Sequence, residues 1–458
     1  MQRSFIVLLL FVLCILFATA QTTRFIEHRV RWMENIHTIS KKYKIDPKVV
    51  LDYNRISANE IRRGIIIRIP VDPLPGSVAN RFDTIQGIAP PSHSFDPRSD
   101  CFEFHPSPLT EYRVSLILPF LLSQNQQDTQ FLDFYEGFLL ALLDLKAEGM
   151  SVIVTIYDSE AINRFSSFVQ SGSLLQENLV IGPVYANDLF EMVHYTYGQN
   201  VKIISPLDQQ TEPAAYTNPN FFQVNSSLYW QQSNLVPYLT QNSGIVWLFY
   251  EGEGNDEELV GMTREILRDN HIVYQEFAHK VEKNKDIVNE LSLRLSQYQN
   301  NQVIVASSNE PFVADILRNL SLVQSRFNYP ITLYGNAKWR SFGVDLEYYH
   351  NMNLHLSVPN YIDYHRSDVK HFLGRYRALF RSEPSPLAYQ GYDIGIYFLR
   401  ALYSRGPHFD FCIEHGVVPA QPLQSNFRFQ KVSPDGGFIN TDSHVIRYLP
   451  DFSIVTLH

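Results

Sequence analysis

The chain has 458 residues, 45% of them hydrophobic and 19% charged, with a formal net charge of -9. Those are globular proportions, which exclude a wholly disordered chain, and the length is more than one hydrophobic core usually serves. The acidic balance is wrong for nucleic acid, which needs clustered positive charge, so no partner of that class is expected.

In chain order, MQRSFIVLLLFVLCILFATA comes first: Arg3, then an unbroken apolar run, then Ala18-Thr19-Ala20. This is the layout of a secretory signal at residues 1–20, cleaved after Ala20. Lipidation at Cys14 would want a small residue before it, and Leu13 stands there. No second stretch is apolar over the roughly 20 residues that span a bilayer. The expected product is a soluble chain in the periplasm or cell envelope.

Residues 24–70 carry eleven Lys or Arg against five Asp or Glu, whereas residues 71–458 have a net charge of -16. The small basic stretch predicts a strand at His28-Arg29-Val30 and a helix on the spacing of Ile36, Ile39, Ser40 and Tyr43. A second helix starts at Asp46-Pro47 and runs through Leu51, and a strand follows Gly64 from Ile65 to Pro70. That order, with the Ile39-Ser40-Lys41-Lys42-Tyr43 run, Leu51-x2-Asn54 and Ile61-x2-Gly64, resembles the LysM domain over its full length, a small βααβ unit. The resemblance implies a shallow groove for N-acetylglucosamine of peptidoglycan or chitin. Its walls would be the loop Trp32, Met33, Glu34, Asn35 and Ile36 and the loop Ala58, Asn59, Glu60, Ile61 and Arg62. The usual Gly-Asp-Thr turn is replaced by Met33-Glu34-Asn35, and without the glycine a positive φ there is costly. A folded spacer or a protein contact is the alternative use of the unit.

Residues 71–110 lack hydrophobic period and are rich in Pro, Ser, Asp and Gly, which predicts a linker. After signal cleavage the remaining cysteines are Cys101 and Cys412, and two thiols in an exported chain point to a disulfide. Cys101-x3-His105 and Cys412-x2-His415 leave a zinc site open as the alternative, although neither spacing is a recognised knuckle. No metal or cofactor is expected.

From residue 111 onward strands and helices alternate, the pattern of an α/β, doubly wound parallel sheet. A first series has strands at Val114–Pro119, Val152–Tyr157, Leu179–Ile181 and Val201–Ile204, and a helix whose apolar face is Phe131, Phe134, Phe138, Leu142 and Leu145. A second has strands at Ile245–Tyr250, Ile272–Phe277, Val303–Ala306 and Ile331–Tyr334, with a helix across Glu257–Arg268. Two series in nearly 350 residues imply two lobes. Extended stretches at Phe221–Val224 and Leu354–Ser357 fall between the series. With Asp133–Phe138, Ile181-Gly182-Pro183, Ile204-Ser205-Pro206 and Tyr389-Gln390-Gly391-Tyr392-Asp393, their order resembles the type I periplasmic binding protein fold across residues 111–458. The whole chain is similar to exported bacterial proteins that join LysM to such a domain.

In doubly wound lobes, ligands meet the loops beyond the carboxyl ends of the strands. That rule names Ser123, Gln124, Val184, Tyr185, Ser205 and Leu207 on the first lobe. On the second it names Tyr250, Glu251, Ser307, Asn309, Asn336 and Trp339. The resemblance implies hydroxyls after Gly182-Pro183 for an amino-acid ligand, and Val184-Tyr185-Ala186 lacks them. The structural alternative has Ser205 and Ser307 capping helices and Trp339 packed in a core. The acidic stretch Glu251 to Glu258 does not fit a calcium loop and reads as a solvated helix start favoured by the dipole.

No Gly-x-Ser-x-Gly elbow, His-Glu-x-x-His or Walker loop occurs. The expected protein is therefore non-catalytic: LysM on peptidoglycan, and a cleft closing on a small polar solute, amino-acid-like or other. The alternatives are a protein-binding regulator of peptidoglycan synthesis, resembling lipoproteins that activate synthases, and a cell-wall hydrolase.

Overall fold

The computed structural model describes residues 25–30, 35–43, 45–54, 56, 61, 66–70, 101, 111–121, 129–252, 254, 256–281, 287–415, 418 and 420–457. The chain divides into two compact units, Met1–Ser94 and Phe95–His458. Among the described residues no helix is long and apolar enough to cross a membrane.

In the N-terminal unit, β1 (Phe25–Arg29) is followed by α1 (Ile36–Tyr43), α2 (Pro47–Asn54) and β2 (Ile66–Pro70). The two strands pair antiparallel, from Phe25 opposite Pro70 to Arg29 opposite Ile66. The strand–helix–helix–strand order is the expected one, with the first strand beginning earlier and stopping short of Val30. Val30, Ile36, Ile39, Val50, Ile67 and Ile69 form the core, so the residues at helical spacing do turn inward. Asn35 Oδ1 accepts from the Thr38 amide (3.0 Å) and Thr38 Oγ1 accepts from the Asn35 amide (2.9 Å), a reciprocal cap that starts α1. At the other end Asn54 donates to Val50 O (2.8 Å) and Arg68 O (2.7 Å) and accepts from the Arg68 amide (2.7 Å), which stitches α2 to β2.

The large unit begins with β3 (Tyr112–Leu118), α3 (Thr129–Ala147), β4 (Val152–Asp158), α4 (Phe165–Gln170), β5 (Leu179–Ile181), α5 (Ala186–Tyr195), β6 (Lys202–Ser205), α6 (Glu212–Ala215) and β7 (Phe221–Gln223). A second run follows: α7 (Leu228–Ser233), α8 (Val236–Gln241), β8 (Ile245–Glu251), α9 (Glu257–Asp269), β9 (Tyr274–His279), α10 (Val288–Arg294), β10 (Asn301–Val305), α11 (Glu310–Phe327), β11 (Ile331–Asn336), α12 (Leu346–Asn351) and β12 (His355–Val358). Last come α13 (Ser367–Phe380), α14 (Pro386–Arg405), α15 (Asp410–Glu414) and the strands β13 (Phe429–Lys431), β14 (Phe438–Asn440), β15 (His444–Tyr448) and β16 (Ile454–Leu457).

Among the described residues these strands make two sheets, ordered β13-β14-β7-β6-β5-β3-β4 and β16-β15-β12-β11-β10-β8-β9. The two expected series are therefore the bodies of two lobes. Both sheets are parallel-dominant, as expected, with antiparallel pairs where β13 meets β14, β12 meets β15 and β15 meets β16. These late strands of three to five residues leave no readable alternation. The chain leaves the first sheet after β7, returns to that lobe's helices after β12 to supply α14, and departs again between β14 and β15.

In the first lobe Phe134, Phe138 and Leu145 of α3 pack with Leu116, Ile181 and Phe222 of the sheet and with Ile394, Phe398 and Leu402 of α14. The two helices meet backbone to backbone at glycines. A Cβ on Gly137 would stand 2.7 Å from the Ala388 carbonyl carbon, and one on Gly391 2.8 Å from that of Phe134. In the second lobe Phe312, Ile316 and Leu320 of α11 cover Phe249, Val303, Val305 and Leu333.

Cys101 and Cys412 are disulfide-bonded, with Cα atoms 5.5 Å apart. The bond engages both sulfurs that the zinc alternative would have used, His415 Nδ1 lies 2.8 Å from Phe411 O, and His105 is outside the described residues. Beside α15, the buried Lys202 pairs with Asp410 at 2.7 Å and donates to Asn220 Oδ1 at 2.6 Å. Burial pushes the lysine's pKa down, and Asp410 opposes that shift.

Candidate ligand cleft

The carboxyl ends of the parallel strands place the expected site residues, and most are already engaged. On the first lobe, Ser123 and Gln124 lie outside the described residues. Val184 is buried against the core, while Tyr185, the next residue and the one before α5, is 49% exposed. Ser205 is fully buried, with its Oγ 3.1 Å from Thr211 Oγ1, which in turn donates to Gln223 Oε1 at 3.2 Å. It therefore belongs to an internal polar chain and caps no helix. Leu207 is half-buried against the first-lobe core, and its carbonyl accepts from Asn225 Nδ2 at 2.6 Å.

On the second lobe the sheet order sets β8 beside β10 and β10 beside β11, which brings Glu251, Ser307, Asn309, Asn336 and Trp339 together. Their polar atoms face one another. Ser307 Oγ donates to Asp256 Oδ2 (2.7 Å), the Ser308 amide donates to the same oxygen (2.9 Å), and Asn309 Nδ2 donates to Glu251 Oε2 (2.8 Å). Asn336 Nδ2 and Trp339 Nε1 both donate to Ser307 O at 3.0 Å. Trp339 is fully buried and stacks on Tyr349, with ring centroids 6.2 Å apart.

Two expectations change here. Glu251 and Asp256 belong to a loop clamp, because the carboxyl end of β8 lies within reach of the β10 loop; a solvated helix start describes them badly. Tyr250 points away from this cluster: its hydroxyl donates to Glu276 Oε2 (3.0 Å), and Arg264 lies 4.9 Å over its ring. The hydrogen bonds from Arg264 hold Glu276 below the usual carboxylate range, against the desolvation of its burial.

The second lobe keeps an open hollow that the sequence reading missed. A cavity of about 410 Å³ beyond the carboxyl ends of β11 and β12 is lined by Ala337, Arg340, Ser341, Val358, Pro359 and Asn360. Asn336 and Trp339, both expected at the site, are the cap and the centre of the turn beside it. Residues 337–341 form a tight 3₁₀ turn, and once Trp339 points inward its neighbours Lys338 and Arg340 point out. The pair of cations directly after a strand end was the signal in the sequence.

The lobes are joined next to this hollow. The Tyr361 amide donates to Gln424 O (2.8 Å), Asn360 bridges Ser425, and His444 Nε2 lies 2.9 Å from Gln424 O. From the first lobe, Asp393 of α14 holds the same segment. Its Oδ1 accepts from the Leu423 amide (2.5 Å), and its Oδ2 accepts from the Gln424 and Ser425 amides (2.9 Å each). Burial pushes the Asp393 carboxyl up to about 6 against the pull of those amides. Gln390, one turn earlier, accepts from Gln424 Nε2 at 2.9 Å. Tyr389–Asp393, legible in the sequence as a fold motif, is thus the anchor of the inter-lobe crossing.

Another carboxyl, the half-buried Glu212 at the start of α6, is raised by burial. Among the described residues no three His, Cys, Asp or Glu side chains are grouped to hold a metal ion.

No family model matches the chain, and no curated protein matches it either. Solved structures do. A Rhodospirillum rubrum protein described as a branched-chain amino acid ABC transporter aligns over 76% of this chain and 100% of its own, at 13% identity and TM-score 0.55. An ABC transporter substrate-binding protein of Desulfitobacterium hafniense gives the same coverage at 16% identity and TM-score 0.50. A branched-chain amino acid ABC transporter periplasmic ligand-binding protein of Burkholderia xenovorans covers 76% and 94%, at 10% identity and TM-score 0.50. At such identities the likeness speaks for the fold alone, and the two parallel-dominant sheets of the large unit have the two-lobed type I periplasmic binding protein fold.

Proposed function

We propose that this is an exported, non-catalytic envelope protein that binds peptidoglycan through its N-terminal unit and closes its large unit on a small polar solute. One observation carries the solute half: the second lobe keeps a 410 Å³ hollow at its strand ends, beside the crossing segments on which two lobes would close. The similar structures support it, since two of them are described as substrate-binding or ligand-binding proteins. An unmodified α-amino acid fits less well than other polar solutes. Val184 is buried where a hydroxyl would be wanted, and the acid Glu251 is held by Asn309.

The glycan half is supported by the βααβ order, by the reciprocal Asn35–Thr38 cap and by the Asn54 staple. Of the ten groove residues, Asn35, Ile36 and Ile61 are described; Trp32, Met33, Glu34, Ala58, Asn59, Glu60 and Arg62 lie outside the described residues. Sedimentation with purified peptidoglycan tests this half, with the full chain compared against a variant lacking residues 21–75. Equal sedimentation of the two would end the LysM reading. A thermal-shift panel of metabolites tests the cleft, since a ligand that binds the native state raises its melting temperature.

A protein partner, as in regulation of peptidoglycan synthesis, is the second reading. It is favoured by a groove of about 690 Å³ between α3, α13 and the edge strand β4 of the first lobe, lined by Leu142, Val152, Val154 and Phe380 and by the exposed Leu143 and Leu379. Co-purification of an envelope protein, with no metabolite shifting the melt, would favour it over the solute.

A further inference from the structure

We infer that the solute carries an anionic head, a carboxylate or phosphate, received by Arg340 on the lip of the second lobe; this rests on the cleft reading above. Arg340 lines the 410 Å³ hollow with Ser341 and Asn360, and it is exposed. Its guanidinium lies 5.8 Å above the Tyr361 ring and beside the Tyr448 hydroxyl, both uncharged neighbours. Among the described residues no carboxylate stands within ion-pair distance of Arg340 or of Lys338 on the same turn.

The acids nearest in the fold are occupied. Glu310 Oε1 accepts from the Gly343 amide (2.7 Å), and Asp363 Oδ1 accepts from the His365 amide (2.9 Å). Arg340 therefore borders a hollow of solute size with no carboxylate among the described residues paired to it, and Lys338 is a second such cation on the same turn, in a large unit whose overall charge is strongly negative. A general attraction for anions is absent from such a unit, so the preference has to be local to this lip.

The chemistry of the lining narrows the ligand further. A guanidinium presents a planar fork that matches two oxygens of a carboxylate or phosphate, which an ammonium does not. Asn360 places a side-chain amide on the same wall, and Ser341 donates its hydroxyl proton to Lys338 O (2.8 Å), which leaves the oxygen's lone pairs for a ligand hydroxyl. A hydroxylated acid suits this lining: an oxyanion on the fork and hydroxyls toward Ser341 and Asn360.

The test uses the full chain and matched probes that differ in charge: glucuronate and glucose 6-phosphate against glucose, and glutamate against glutamine, each titrated by calorimetry. The expected result is that the anion of at least one pair binds at least tenfold more tightly than its neutral partner. Arg340→Gln should then weaken that anion by about 10- to 100-fold, the range of one charge-assisted contact, while the neutral partner is unchanged. Arg340→Lys should fall between the two, and all three proteins should melt alike without ligand because Arg340 is exposed. Binding of a neutral probe equal to its anion, or an anion preference that survives Arg340→Gln, overturns the assignment and leaves the solute reading standing. No heat from any probe, with a co-purifying protein instead, overturns both.

Discussion

Replacing Asp393 by Asn should change the pH dependence of stability, and the change can be sized from the structure. Asp393 offers two oxygens to three amides. Asn keeps one oxygen for Gln424 and Ser425 and turns an NH₂ group toward the Leu423 amide, so one buried donor goes unsatisfied at about 1–3 kcal/mol. That loss applies at pH 4. The wild-type carboxyl, pushed up to about 6 by burial, holds a proton in the folded chain that the unfolded chain, at about 4, has already released. Stability from this group is therefore full below about pH 4 and falls as pH rises to 6, by about 3 kcal/mol for two pH units. Asn does not titrate, so the gap between variant and wild type should close or invert by pH 7.5.

His355 complicates the raw curve. Burial pushes it down to about 4, so it contributes the opposite slope, with stability lost as pH falls from 6.5 toward 4. It sits in the other lobe and is common to both proteins, so the difference curve removes it. Denaturant titrations of the disulfide-intact protein, followed by circular dichroism from pH 4 to 7.5, give that difference. A gap that stays constant across the range would mean that the three amides, not burial, govern the carboxyl, and the reasoning would be refuted.

Other consequences can be checked directly. Gly391→Ala should force α3 and α14 apart, since the new Cβ lies 2.8 Å from the Phe134 carbonyl carbon; the loss is about 1–3 kcal/mol, and a melt within a degree of wild type would contradict the close approach. Cys412→Ser should destabilise the large unit by about 2–5 kcal/mol, and dithiothreitol should reproduce that loss in the wild type but have no effect on the variant. Asn54→Ala removes two hydrogen bonds between α2 and β2 and one within α2, and should lower the N-terminal unit by about 2–3 kcal/mol, a large share of what so small a core supplies. Limited proteolysis should then release that unit first, and peptidoglycan sedimentation should fall with it; an unchanged digestion pattern would speak against the staple.

The sequence by itself determined which residues face inward. Phe134, Phe138 and Leu145 on α3, Ile36 and Ile39 on α1, and the strand Leu179–Ile181 were legible because burial is written in local periodicity, with a period of 3.6 for a helix and a continuous apolar run for a buried parallel strand. The alternation of those elements carried the two lobes as well. Which polar groups meet was decided only by tertiary structure. Ser307 and Asp256 are 51 residues apart, Asn309 and Glu251 are 58 apart, and Gln424 and Asp393 are 31 apart. They meet because β8 lies between β10 and β9, and because α14 packs on the first lobe after the chain has built most of the second. A hydrogen bond depends on the position of two atoms, and no period in the chain records a partner so distant. The same holds for the lip of the cleft: the inward turn of Trp339 made Arg340 the exposed cation, and that turn follows from its packing on Tyr349 and its bond to Ser307 O.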